Sequence, residues 1–136
     1  LAPFTGKYGL CNLHGIIKPV GHAFRFLSQL HDAEISLQDR SAILTRSPDG
    51  RSLRLLVWHH VEPTVVDFYG KDWTIPESRR EFSLSLSGLT GRWRERHWVV
   101  DRNHGNGFRA WQLAGEPTHL KAEAVEELRR AAEAPC

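Results

Sequence analysis

Tyr8-Gly-Leu-Cys-Asn-Leu-His-Gly-Ile-Ile-Lys-Pro-Val-Gly-His-Ala-Phe-Arg-Phe-Leu27 carries two periodicities on either side of one turn. Tyr8, Leu10, Cys11 and Leu13 form a short apolar run suited to a parallel strand buried on both faces. Within it, Cys11 is expected to act as a small core residue. Gly15 and Pro19 close a turn, and Pro19 sits near a helix start, where its missing N–H costs nothing. Val20, Ala23, Phe24, Leu27 and Leu30 then recur at helical spacing to about residue 31. Strand, turn and helix make half of a βα repeat, whose apolar faces need neighbours.

Beyond Asp32 the pattern becomes β-like. Residues 42–46 predict a strand, Ser47-Pro48-Asp49-Gly50 a turn, and residues 52–60 the returning strand of a hairpin. Alternation puts Leu53, Leu55 and Val57 on one side, with Arg54, Leu56 and Trp58 on the other. Residues 61–79, with Pro63, Gly70 and Pro76, predict an irregular connection with a short strand near 64–68. Glu81-Phe-Ser-Leu-Ser-Leu-Ser87 has strict period two, with Phe82, Leu84 and Leu86 on a core face. Another strand is expected over 92–101. Short antiparallel strands separated by turns predict a mainly β fold, a β-sandwich following the strand-helix unit. A last helix is expected after Pro117, capped by Thr118, with Leu120, Ala124, Val125, Leu128, Ala131 and Ala132 as its apolar stripe. Lys121 stands where a capping box would place Glu or Gln.

Composition narrows the classes. The 136 residues are 40% hydrophobic and 25% charged, and their formal net charge of +2 is far from the basic footprint of a nucleic-acid-binding domain. No nucleic-acid partner is therefore expected. With no run of about 18 apolar residues, no membrane partner is expected either. The opening Leu-Ala-Pro-Phe-Thr-Gly lacks the n-region and h-region of a signal peptide. Methionine is absent and the first residue is Leu1, so the sequence is expected to be a trimmed or cleaved piece of a longer protein. Cys11 and Cys136 form no CxxC pair, which leaves zinc-knuckle and thioredoxin-type sites unsupported.

Few residues offer chemistry. His59, His60 and Glu62 could supply metal ligands by spacing alone, but adjacent strand residues diverge, and H-E-x-x-H is absent. No metal site is expected. Glu62, Glu81 and Glu95 read as edge carboxylates. Gly105-Asn-Gly-Phe-Arg-Ala110 matches a dinucleotide fingerprint, yet Gly115 and Pro117 are expected to stop any helix after about one turn, and no βαβ unit follows. No cofactor is expected, and the glycines read as loop residues. Arg92-Trp-Arg-Glu-Arg-His-Trp98 mixes basic and aromatic residues as polyanion sites do, and as an ordinary two-faced strand does.

Residues 8–27 and 101–118 resemble two blocks of glycoside hydrolase family 39, the β-xylosidase and α-L-iduronidase family. The second block runs Val100-Asp-Arg-Asn-His-Gly-Asn-Gly-Phe-Arg-Ala-Trp-Gln-Leu-Ala-Gly-Glu-Pro-Thr118, with a polar turn, an Ala-Trp pair and Gly-x-Pro before a closing helix. Gly105 and Gly107 depart from the residues expected there. A looser likeness joins the blocks, so the resemblance covers nearly the whole chain. It implies that residues 1–32 end a (β/α)8 barrel, 33–114 form the β-sandwich and 115–136 a C-terminal helical extension. It also implies the C-terminal structural portion of a retaining glycosidase acting on β-xylosides or related glycosides, with an upstream barrel domain as partner. In such enzymes two glutamates act, the first directly after an asparagine. Asn12, Asn103 and Asn106 precede no glutamate, so no catalytic residue is expected in this chain, which alone is expected to be inactive. Phe4, before the last barrel strand, is the expected sugar-facing residue. Structural roles are implied for Gly15, Pro19 and Trp111, the last anchoring its loop, while His104 or Asn106 satisfies backbone groups. Two other classes compete. One is a stand-alone carbohydrate-binding sandwich using Trp58, Trp73, Trp93, Trp98 or Trp111 as a stacking platform. The other is a non-enzymatic protein-interaction module, favoured if the chain forms a homo-oligomer through its barrel-like face.

Overall fold

A computed structural model describes residues 3–4, 8–62 and 78–136. The expected strand near 64–68 and Trp73 lie outside the described residues. Six elements follow one another: α1 (Pro19–Leu27), β1 (Ala33–Ile35), β2 (Ala42–Arg46), β3 (Leu53–Val57), α2 (Gly107–Leu113) and α3 (Ala122–Ala132). The chain divides into two compact units, one of Leu1–Gln29 with Trp93–Cys136 and one of Leu30–Arg92.

The Leu30–Arg92 unit holds an antiparallel sheet in the order β1-β2-β3. Its hairpin registers Arg46 against Leu53 and Ala42 against Val57. The turn is built from side chains as well as backbone: Ser47 Oγ donates to Asp49 and accepts from the Ser52 N–H. Asp49 also accepts from the Arg51 N–H. Ile35 pairs with Leu44 and Leu44 with Leu55, so Ile35, Leu44, Leu55 and Val57 share one face. Leu44 is buried, while Ile35, Leu55 and Val57 are exposed. At three residues with one β-branched side chain, β1 is too short to signal itself in the sequence.

Neither 81–87 nor 92–101 forms a strand. Period-two alternation selects a face but supplies no ladder partner, and backbone groups without a partner strand stay with water. Leu84 and Leu86 are exposed accordingly. Phe82 is half-buried because the Arg80 guanidinium lies over its ring, 4.7 Å from the centroid. Arg80 is held in turn by Asp39 and by Ser41 Oγ. Helices of nine, seven and eleven residues therefore outweigh strands of three, five and five among the described residues. Among the described residues the strands form one small three-stranded antiparallel sheet beside three helices, short of the mainly β sandwich expected.

The other unit is helical. Its core is Ile16, Trp111, Leu128 and Ala132, with Phe4, Ile17, Ala110, Leu120 and Val125 packed around it. Residues 8–18 fold back on themselves rather than running as a buried strand. Cys11 makes an isolated antiparallel bridge to Ile17, and Asn12 Oδ1 accepts from the His14 and Ile16 N–H groups. A buried strand needs ladder neighbours on both sides, and the unit that holds this segment has no other strand among its described residues. Cys11 is thus exposed, not a core residue, and both cysteines are free. Gly15 turns the chain at φ +71°, where a side chain would be strained.

α1 is inverted relative to its sequence stripe. It buries Gly21 and His22, whereas Val20, Phe24 and Leu27 are exposed. The helix ends at Leu27, short of residue 31, where Ser28 Oγ donates to the Arg25 carbonyl and Ser28 N–H to Phe24. The cap of α3 also differs from expectation. Lys121 is its N-cap with no side-chain hydrogen bond, and Thr118 Oγ1 instead meets His119 Nδ1.

Candidate functional site

The segment 99–118 of the helical unit brings polar and aromatic side chains together. Asp101 anchors its turn by accepting from the Asn103 N–H, the His104 N–H and His104 Nδ1. Partial burial pushes the Asp101 carboxyl up, but those donors outweigh it and hold the group below its ordinary value. Asn106 then uses both ends of its amide. Its Oδ1 caps α2 by accepting from the Arg109 N–H at 3.1 Å, and its Nδ2 donates to the Asp101 and Arg102 carbonyls. This side-chain cap starts a helix where a loop was expected. α2 runs two turns before Gly115, at φ +84°, ends it.

Trp111 is 7% exposed and donates from Nε1 to the Pro117 carbonyl at 3.0 Å. Phe4 packs 5.5 Å from its ring and edge-on to Phe108 at 5.7 Å. The structure therefore brings Phe4 together with Trp111 and Phe108. Pro19 occupies the first position of α1. Gly15 stands apart from these rings, in the turn beside the Arg129 side chain.

Sequence reading passed over three residues that hold this unit together. His22 is fully buried, and its Nε2 meets the Ala132 carbonyl at the end of α3. A carbonyl only accepts, so Nε2 carries the proton and the ring faces inward as a donor. Arg129 of α3 donates to the His14 carbonyl, and Asn12 closes the 12–16 turn. The only sequence signal for His22 was its place opposite the α1 stripe, a side normally left to water.

Other candidates remain separate. His59 Nε2 meets Ser78 Oγ, and among the described residues no three His, Cys, Asp or Glu side chains are grouped to hold a metal ion. Residues 92–97 are exposed. No described helix is long and apolar enough to cross a membrane.

One apolar feature has no cover among the described residues. Tyr8 is 92% exposed and Leu13 77%, and Phe24 of α1 is 58% exposed. Leu10, Val20 and Leu27 add to them. Burying a large apolar side chain is worth about 1.5–3 kcal/mol, which each of these forgoes in part.

The sequence model described as Glycosyl hydrolases family 39 matches residues 1–136. The chain is 33% identical over 127 residues to a beta-xylosidase of Geobacillus stearothermophilus, covering 93% of this chain and 23% of that protein. It is 29% identical over 135 residues to a beta-xylosidase of Caldicellulosiruptor saccharolyticus, covering 96% of this chain and 26% of that protein. The chain thus spans about a quarter of the length of these curated relatives.

Proposed function

The chain belongs to glycosyl hydrolases family 39, and from that membership we propose that it is the C-terminal structural portion of a retaining glycosidase acting on β-xylosides or related glycosides. In this reading residues 1–32 complete the wall of a (β/α)8 barrel, 33–114 belong to a β-sandwich and 115–136 form its helical extension. The catalytic carboxylates belong to the upstream barrel, and this chain contributes none. Phe4, just before the last barrel strand, is the residue proposed to approach the sugar, with its ring seated against Trp111 and Phe108.

The observation that carries the proposal is the uncovered apolar band of Tyr8, Leu10, Leu13, Val20, Phe24 and Leu27. A helix that turns Phe24 outward and His22 inward is one whose larger partner is not within the described residues. The half-covered sheet face of Ile35, Leu55 and Val57 supports a second β layer in the same way. Both needs are met by a longer polypeptide of the relatives' size.

Intact mass of the native polypeptide, detected with an antibody to this chain, is the test. The expected species has the length of the β-xylosidase relatives and hydrolyses an aryl β-xyloside. A native species of 15.5 kDa, or xyloside turnover by the 136-residue chain itself, would overturn the proposal.

A further inference from the structure

The outer edge of β3 is an open side of the sheet, since β2 lies between β1 and β3. At the two ends of the hairpin, Ser47 N–H donates to the Ser52 carbonyl and Trp58 N–H to the Ser41 carbonyl. Bonded rungs of an antiparallel pair alternate, so residues 52, 54, 56 and 58 direct their backbone groups to β2. Leu53, Leu55 and Val57 direct theirs outward, where no described strand pairs with them. Such an edge is a template for any extended segment that reaches it.

One segment of the same unit starts at the end of that edge. His59 Nε2 meets Ser78 Oγ at 2.8 Å, and Arg80 donates to Ser41 Oγ and to Asp39. Arg80 then lies over the Phe82 ring, as residues two apart do on one face of an extended chain. From there Phe82, Leu84 and Leu86 alternate with serines, until Gly88 turns the chain at φ +76°. Residues directly opposite in an antiparallel ladder share a face and touch, so the His59–Ser78 contact sets a register. It places Val57 opposite Arg80, Leu55 opposite Phe82 and Leu53 opposite Leu84. Those three β3 residues are the outward-directed ones, and Phe82 and Leu84 would join the face of Leu44 and Leu55.

We propose that residues 80–87 are a strap that closes on the β3 edge as a fourth, antiparallel strand, with Leu55 opposite Phe82. The structure describes its open form, in which Leu55, Leu84 and Leu86 are exposed. Closing adds ladder hydrogen bonds but orders the segment, and these two effects oppose each other. Apolar cover over Leu55 and Val57 tips the balance, because Phe82 and Leu84 are then buried with them. The strap deepens the β-sandwich reading of residues 33–114 and rests on it for that cover, while its register rests on contacts within this unit.

Cysteine pairs in a Cys11→Ser, Cys136→Ser form of the 136-residue chain test the register, read as disulfide yield in a glutathione buffer. Leu55→Cys is expected to oxidise with Phe82→Cys about tenfold more readily than with Leu84→Cys, and Leu53→Cys to reverse that preference. Circular dichroism confirms that each variant folds. Leu55 and Leu84 are exposed, so the Leu55 series decides alone if Leu53→Cys unfolds the sheet. The same ranking from both β3 positions overturns the strap, as does a Leu55 series with no preference for residue 82. Either result leaves the intact-mass test untouched. A native species of this chain's own length would instead sink the glycosidase reading and leave the disulfide ranking as it is.

Discussion

Asp101 shows how one side chain can organise a turn. Three donors converge on it, two of them backbone N–H groups and one the His104 ring. Its carboxyl is held below the ordinary value, so the unfolded chain binds the proton more readily than the folded one. The stabilisation is present above the ordinary carboxylate range and is lost as pH falls below about 4. Asp101→Asn keeps an acceptor and loses the charge. The wild-type chain should therefore lose more stability than Asp101→Asn between pH 7 and pH 3, a difference that solvent screening holds below about 1 kcal/mol. Urea midpoints at the two pH values measure it; parallel losses would show that the carboxylate is not specially stabilised. Asn106 and Trp111 drew notice only through the family resemblance, which implied structural roles for a polar turn before an Ala-Trp pair. His22 and Asn12 were not, since their value depends on a carbonyl 110 residues away and on a local turn that replaced the expected strand.

At the scale of elements, α2 and α3 meet through a missing side chain. A Cβ at Gly107 would lie 2.9 Å from Ile16 Cγ2, 3.0 Å from Ala132 Cβ and 3.2 Å from the Leu128 carbonyl oxygen. Alanine normally gains about 0.5–1 kcal/mol over glycine within a helix. Here overpacking against a backbone oxygen and two core side chains outweighs that gain, so Gly107→Ala should destabilise the chain by about 1–3 kcal/mol. Thermal unfolding by circular dichroism decides the sign, and a raised melting temperature would refute this account of the helix contact. The sequence placed the β2–β3 hairpin and α3 well, because turn chemistry and helical stripes are local signals. It missed α2, whose Asn106 cap overrode the glycines that suggested a loop. It also overstated 81–87, where the alternation is clear but no described strand provides a ladder.

At the scale of the whole chain, the apolar band of residues 8–27, uncovered among the described residues, matters most. A small net charge of +2 offers little repulsion against association through such a surface. The 136-residue chain should self-associate with rising concentration, and the double substitution Phe24→Ser with Leu27→Ser should suppress this. Because both side chains are exposed, folding stability should change by no more than about 0.5 kcal/mol for each substitution. Sedimentation velocity over a concentration series reads the first effect and urea unfolding the second. A double variant that associates as strongly as the wild type, or unfolds, would show that the band is not a free surface. By itself the sequence determined the family resemblance, the hairpin, the start of α1 and the helix at the end, all of which rest on motifs and periodicities close along the chain. Only the tertiary structure decided which face of α1 is inside, that Cys11 is outside, and that His22 joins α1 to α3. Amphipathic spacing tells that a helix has an apolar side. Which side is covered depends on what lies beside it in space.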